Sequence, residues 1–121
     1  FLGQDGVLRD GPERAEFIAV GYGQSIEWPQ AVRLENGAGR WYVESGYQAL
    51  THSLLILFKN SLFDYGGTCY GDSGGPTFFE YEGELWLVGI HSMSNATCVA
   101  MSFDYRTDIA ETLDFVAPFL P

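Results

Sequence analysis

Thr68-Cys69-Tyr70-Gly71-Asp72-Ser73-Gly74-Gly75-Pro76 is the stretch on which this sequence turns. A serine hydroxyl is a poor nucleophile at neutral pH, and it works only where a base takes its proton and donors receive the developing oxyanion. Glycines on both sides of Ser73 let the backbone fold sharply and come close to a substrate carbonyl. In such a turn the N–H groups of Gly71 and Ser73 can point into one small hole. Taken alone, Gly-Asp-Ser-Gly is better explained as a Gly-rich turn between strands, so its meaning depends on what surrounds it.

The surroundings read as β structure. Strand candidates rich in β-branched and aromatic residues run from Phe17 to Tyr22, Ala31 to Leu34, Arg40 to Val43, Leu54 to Phe58, Thr77 to Tyr81, Leu85 to Ile90 and Val99 to Phe103. Between them lie turn signals at Gly21-Tyr22-Gly23, Glu35-Asn36-Gly37-Ala38-Gly39, Tyr65-Gly66-Gly67 and Tyr81-Glu82-Gly83-Glu84. Many short strands with such punctuation favour a sandwich or a barrel. The run from Phe79 to Trp86 reads as a hairpin. No internal repeat or low-complexity segment interrupts the pattern.

The tail differs. Asp108 to Ala117 reads as a helix, with Ile109, Leu113, Val116 and Leu120 on one face. Asp108 followed by Glu111 is a capping-box-like start, and Pro118 should end the helix near Ala117.

Composition bounds the function. The chain has 121 residues, which suits one domain, and 46% hydrophobic residues support a globular core. Sixteen acidic against six basic residues give a net charge of −10, which argues against nucleic acid and anionic membrane surfaces as partners. No apolar run approaches the roughly 20 residues that a spanning helix needs. Cys69 and Cys98 are too few for a structural zinc site by themselves, and in a secreted chain an even pair suggests one disulfide. Phe1 opens the chain without a signal-peptide pattern, as expected of a processed or trimmed piece.

With these pieces assembled, the chain resembles the chymotrypsin-like (trypsin-family) serine proteases. Gly71-Asp72-Ser73-Gly74-Gly75-Pro76, preceded by Cys69, matches the family's nucleophile motif. Gly21-Tyr22-Gly23 lies about fifty residues upstream, where the family has a Gly-aromatic-Gly turn. Val88-Gly89-Ile90-His91-Ser92 follows, like the strand that binds substrate backbone. Cys69 and Cys98 stand 29 residues apart, as in the family's disulfide beside the specificity pocket. The resemblance runs from about Phe17 to Pro121. It implies an all-β domain over 1–121, a single six-stranded antiparallel barrel with a C-terminal helix, the second barrel of a two-barrel fold. Ser73 would be the nucleophile, with the oxyanion hole made by Gly71 and Ser73. Asp72 would pair with the freed N-terminus of an activated enzyme. Gly67, Thr68 and Tyr70 would border the substrate pocket, with Ser92, Met93 and Ser94 as its opposite wall. The implied protein is secreted or extracellular, acts on proteins or peptides, and needs no metal or cofactor.

The general base and its orienting acid are missing, because in this family both come from the first barrel. His52, in Ala49-Leu50-Thr51-His52-Ser53, reads as a loop histidine, and His91 as a structural residue near the pocket. Asp108 reads as a helix cap. The chain is therefore expected to be the nucleophile-bearing half of a serine endopeptidase, inactive without its first barrel. Its exposed cleft should pair with that missing half or with a second copy. The alternatives are a non-catalytic binding module on a protease-derived barrel, or an enzyme that recruits His52 or His91.

Departures from the family sharpen the reading. Phe17 and Phe79 stand where digestive relatives have a crosslink, which suggests a packed aromatic contact. Gly67 replaces the pocket acid of trypsin-like members, so Lys or Arg specificity is not expected. Met93 and Ser94 also depart from the usual residues there, and point to a small or medium apolar side chain before the scissile bond. Asn95-Ala96-Thr97 is a glycosylation sequon that reads as a plain turn, and the 16% aromatic content reads as core more than as carbohydrate-binding surface.

Overall fold

A computed structural model describes residues 1–4, 7–8, 15–27, 32–34, 39–95 and 98–121. Eight strands are present among them: β1 (Glu16–Gly21), β2 (Ser25–Glu27), β3 (Val32–Leu34), β4 (Trp41–Leu50), β5 (Leu54–Phe58), β6 (Pro76–Tyr81), β7 (Glu84–Ser94) and β8 (Met101–Arg106). Six of them close an antiparallel barrel in the order β1-β4-β5-β8-β7-β6, with β6 pairing back onto β1. β2 and β3 form a separate two-stranded sheet. The expected all-β six-stranded barrel is thus present.

A barrel this small has an interior only wide enough for side chains, so every second residue along a strand must fill it. β5 follows that rule: Leu55 and Leu57 are fully buried while Leu54, Ile56 and Phe58 are half-buried. Phe17 and Phe79 oppose each other across the β1–β6 ladder, and their rings stack with centroids 4.9 Å apart. The aromatic contact expected there is formed. Leu2, Val7 and Val88 complete this cluster with Leu55 and Leu57. The β6–β7 hairpin is also as expected. Glu82 and Gly83 have φ of 52° and 80°, the left-handed pair of a type I′ two-residue turn.

Several boundaries differ from the expectation. β4 continues to Leu50 because Glu44, Ser45 and Gly46, too polar to mark a strand on paper, pair along β1 and β5, and Gln48 is taken up in a bulge between Tyr47 and Ala49. β2 carries too few apolar residues to signal itself. Of the expected strand from Ala31 to Leu34, Val32–Leu34 is β3, while Ala31 and residues 35–38 of the following turn lie outside the described residues. β8 begins at Met101, later than Val99, because the side chain of Asn95 accepts the N–H groups of Ala100 and Met101 and closes the preceding loop. Ala96 and Thr97 of the sequon lie outside the described residues.

The helix needs the largest correction. α1 spans Ala110–Val116, and a 3-10 turn at Ala117–Phe119 carries Pro118. Its N-cap is Ile109, without a side-chain cap, so Asp108 is not the cap. Asp108 instead accepts from Arg106 Nε at 2.8 Å, Arg106 Nη2 at 2.8 Å and the Leu2 N–H at 2.8 Å. Burial pushes its carboxyl up, but these hydrogen bonds outweigh it and hold it at about 2. No residue of α1 is buried. Leu113 and Leu120 are exposed, and of the expected face only Ile109, outside the helix, is buried. Periodicity identifies residues that share a face, but it does not identify what covers them.

Candidate active site

The segment around Ser73 lies where the end of β1, the start of β6 and the end of β7 converge. Gly74 N–H donates to the His91 carbonyl and His91 N–H to the Gly75 carbonyl, each at 2.9 Å, which fastens the segment to β7. The Cys69–Cys98 disulfide is formed and ties the other end to the loop before β8.

Asp72 is the brace. Its Oδ1 accepts from the Gly23 N–H at 2.8 Å and its Oδ2 from the Cys69 N–H at 2.9 Å. The carboxylate fills the space beside Gly21 and Gly23. A Cβ on Gly21 would come within 1.9 Å of Oδ1, and one on Gly23 within 2.6 Å. The Gly-Tyr-Gly turn is therefore a seat for Asp72. The partners of Asp72 among the described residues are these backbone donors, and the Phe1 amino group lies against Asp108.

Within this segment the N–H groups of Cys69, Asp72, Gly74 and Gly75 are all hydrogen-bonded. Those of Gly71 and Ser73 make no hydrogen bond among the described residues, and neither does the exposed Ser73 hydroxyl. Gly71 reaches this arrangement at φ +93°, a conformation that L side chains rarely adopt. Ser73 and Gly71 line a cavity of about 310 Å³ together with Thr68, Tyr70, Ser92, Met93 and Ser94. Every pocket residue expected from the sequence borders this space except Gly67. Gly67 lines a larger cavity of about 880 Å³ on the far side of Thr68 and Cys69.

The chain matches no family model and no curated protein. Its site must therefore be read from its own geometry.

Neither histidine serves Ser73. His91 is buried, with Nδ1 3.1 Å from Thr77 Oγ1 and 3.2 Å from Asp104 Oδ2, and Nε2 3.2 Å from the Val20 carbonyl. Both ring nitrogens are occupied inside the barrel. Thr77 also donates to Asp104, whose Oδ1 has no partner among the described residues. His52 lies in the exposed β4–β5 loop, 3.0 Å from Glu111 on α1. That contact and a backbone hydrogen bond hold the Glu111 carboxyl below its ordinary value, the backbone bond being the larger cause. Among the described residues no group of three or more His, Cys, Asp or Glu side chains is placed to hold a metal ion, and no helix is long and apolar enough to cross a membrane.

Lys59 is the residue that sequence reading missed. It follows Leu55 and Leu57 at the same spacing of two, so parity alone aims it inward. It is 3% exposed. Its Nζ donates to the Thr68 carbonyl at 2.7 Å and to Ser94 Oγ, and so joins the two sides of the cavity beside Ser73. Its methylenes fill the space beside Gly67, where any Cβ would come within 2.3 Å of the Lys59 Cδ. Burial lowers the ammonium to about 8 against the opposing pull of Asp104 and Asp72. Beside it, the buried Ser45 hydroxyl donates to the Gly66 carbonyl at 2.7 Å.

Proposed function

We propose that this chain is the nucleophile-bearing half of a secreted, chymotrypsin-like serine endopeptidase. Ser73 attacks the peptide carbonyl, an acyl-enzyme forms on its Oγ, and water releases the acid product. The N–H groups of Gly71 and Ser73 receive the oxyanion. The base and its orienting carboxylate come from a first barrel, which takes the Ser73 proton and returns it to the leaving amine. The observation that carries this reading is the pattern of hydrogen bonding around Ser73. In a segment whose Cys69, Asp72, Gly74 and Gly75 amides are hydrogen-bonded, the exposed Ser73 hydroxyl and the N–H groups of Gly71 and Ser73 are left free together. That leaves two donors and a nucleophile side by side and open to a substrate carbonyl.

Exposed apolar residues support the need for a second body. Trp41, Tyr42 and Leu62 border the larger cavity, and Leu113, Phe115, Phe119 and Leu120 crowd the C-terminal segment. The first barrel or a second copy of the chain would cover such surface. The Cys69–Cys98 disulfide suits an oxidising compartment.

A second reading, a non-catalytic binding module, draws on one observation: both histidines are engaged away from Ser73. A fluorophosphonate probe with intact-mass detection separates the two. The endopeptidase reading expects no adduct on the isolated chain, and a single adduct on Ser73, lost in Ser73→Ala, once a base-bearing barrel is supplied. No adduct in that reconstituted protein would leave the binding module as the better account.

A further inference from the structure

We propose that the cavity beside Ser73 takes the carboxylate side chain of an acidic substrate residue, Asp or Glu, with Lys59 as its countercharge. This rests on the reading of Ser73 as a protease nucleophile, and it replaces the apolar preference expected from the sequence. A lysine ammonium has three donors and no acceptor. Lys59 places one on the Thr68 carbonyl and one on Ser94 Oγ, and the third has no partner among the described residues. Both partners are neutral oxygens, and among the described residues no carboxylate lies within ion-pair distance of this ammonium. Burying an ammonium in this way is unfavourable unless an anion compensates it.

The position gives the charge its meaning. Thr68 and Ser94 both line the cavity that holds Ser73, and Lys59, which itself lines the larger neighbouring cavity, links them from behind. The Ser94 hydroxyl donates to the Asn95 carbonyl at 3.3 Å, and a carboxylate that enters between these walls and takes its place would stand at the Ser94 side chain with the ammonium directly behind it, supplying the missing charge. A cationic side chain would meet repulsion at the same place. Gly67 can carry no side chain while the Lys59 stem fills the adjoining space, so an acid at that position is excluded on steric grounds.

The test compares acetylated tripeptide amides ending in Glu, Gln or Lys, titrated into the 121-residue chain at about pH 6.5 by calorimetry or amide-shift NMR. The Glu peptide should bind about ten-fold or more tighter than the Gln peptide, with the Lys peptide weakest. Lys59→Met should abolish the difference. Should that variant fail to fold, the pH profile of the native chain serves in its place. The charged groups acting on Lys59 are Asp104 on β8 and Asp72 in the loop, and burial outweighs both. The Glu preference should therefore fade as pH rises through about 8 and the ammonium loses its proton. Equal binding of Glu and Gln, a preference that survives Lys59→Met or does not fade above that pH, or no binding of any peptide would overturn the proposal and leave Lys59 as a brace. Labelling of Ser73 in the reconstituted protein is scored separately. Label without Glu preference sinks the specificity alone, and Glu preference without label keeps an anion site while the protease reading falls.

Discussion

The barrel interior has two halves of different chemistry, and three strands pass from one to the other. β5 and the residue after it run Leu55, Leu57, Lys59 inward; β7 runs from Val88 to His91; β6, followed backwards, runs from Phe79 to Thr77 and then to Gly75 beside His91. The apolar half is a packed cluster around the Phe17–Phe79 stack. The polar half, Ser45, Lys59, Thr77, His91 and Asp104, meets it where Ser45 pairs with Phe17 and Asp104 with Leu55; Ser45 and Lys59 hold carbonyls 66 and 68 on the approach to Ser73, and the His91 backbone holds Gly74 and Gly75. One half supplies burial free energy, which is non-directional. The other supplies direction at a cost in desolvation. The site sits on the half that gives up stability for placement.

That contrast is open to attack from both sides. Phe17→Ala should bring the largest loss, about 3–5 kcal/mol in urea unfolding, because it opens a cavity under the aromatic stack. A loss below about 1 kcal/mol would mean the apolar half is not the source of stability.

The next effect runs the other way. Between about 8 and 10.5 the unfolded chain keeps a proton on Lys59 that the folded chain has released, so stability rises with pH across that window. Below it both states are protonated and the burial penalty is fully present. Relative to Lys59→Met, the native chain should gain up to about 3 kcal/mol from pH 7 to 10.5. Parallel pH profiles for the two proteins would show that the buried ammonium carries no such penalty.

Gly21→Ala should be milder for stability, about 1–3 kcal/mol, since it displaces the Asp72 carboxylate from two backbone donors. Its effect on Ser73 labelling in the reconstituted protein should be far greater than its effect on unfolding, whereas Phe17→Ala should show the reverse. If the two variants alter labelling and stability in the same proportion, the division into halves fails.

Smallest of all is His52→Ala. The ring is exposed and belongs to neither half, so melting temperature and Ser73 labelling should both stay at native values. A loss of labelling would point to His52 as the base.

The apolar half was legible in the sequence, and the polar half only in part. Leu54 to Phe58 and the Phe79–Trp86 hairpin announce themselves by β-branched residues, aromatics and a Glu-Gly turn, since local chemistry decides them. The Phe17–Phe79 contact was also within reach, through the family resemblance. Ser73 and its glycines stand out because their order and spacing match a known nucleophile motif. Lys59, Thr77 and Asp104 do not stand out. Their significance is that three strands bring them to one place, and a polar residue at an inward position looks on paper like a polar residue on the surface. The helix failed for a related reason: its apolar stripe is real, and burial depends on a neighbour that the stripe does not specify.

The seat of Asp72 between Gly21 and Gly23 has a consequence for descent. The aspartate and Gly23 are 49 positions apart, yet a side chain at either glycine would strike the carboxylate. These three positions are sterically coupled. A chain that keeps the carboxylate in this seat has no room for a side chain at either glycine, and a related chain that lacks the aspartate gains room for larger residues at both.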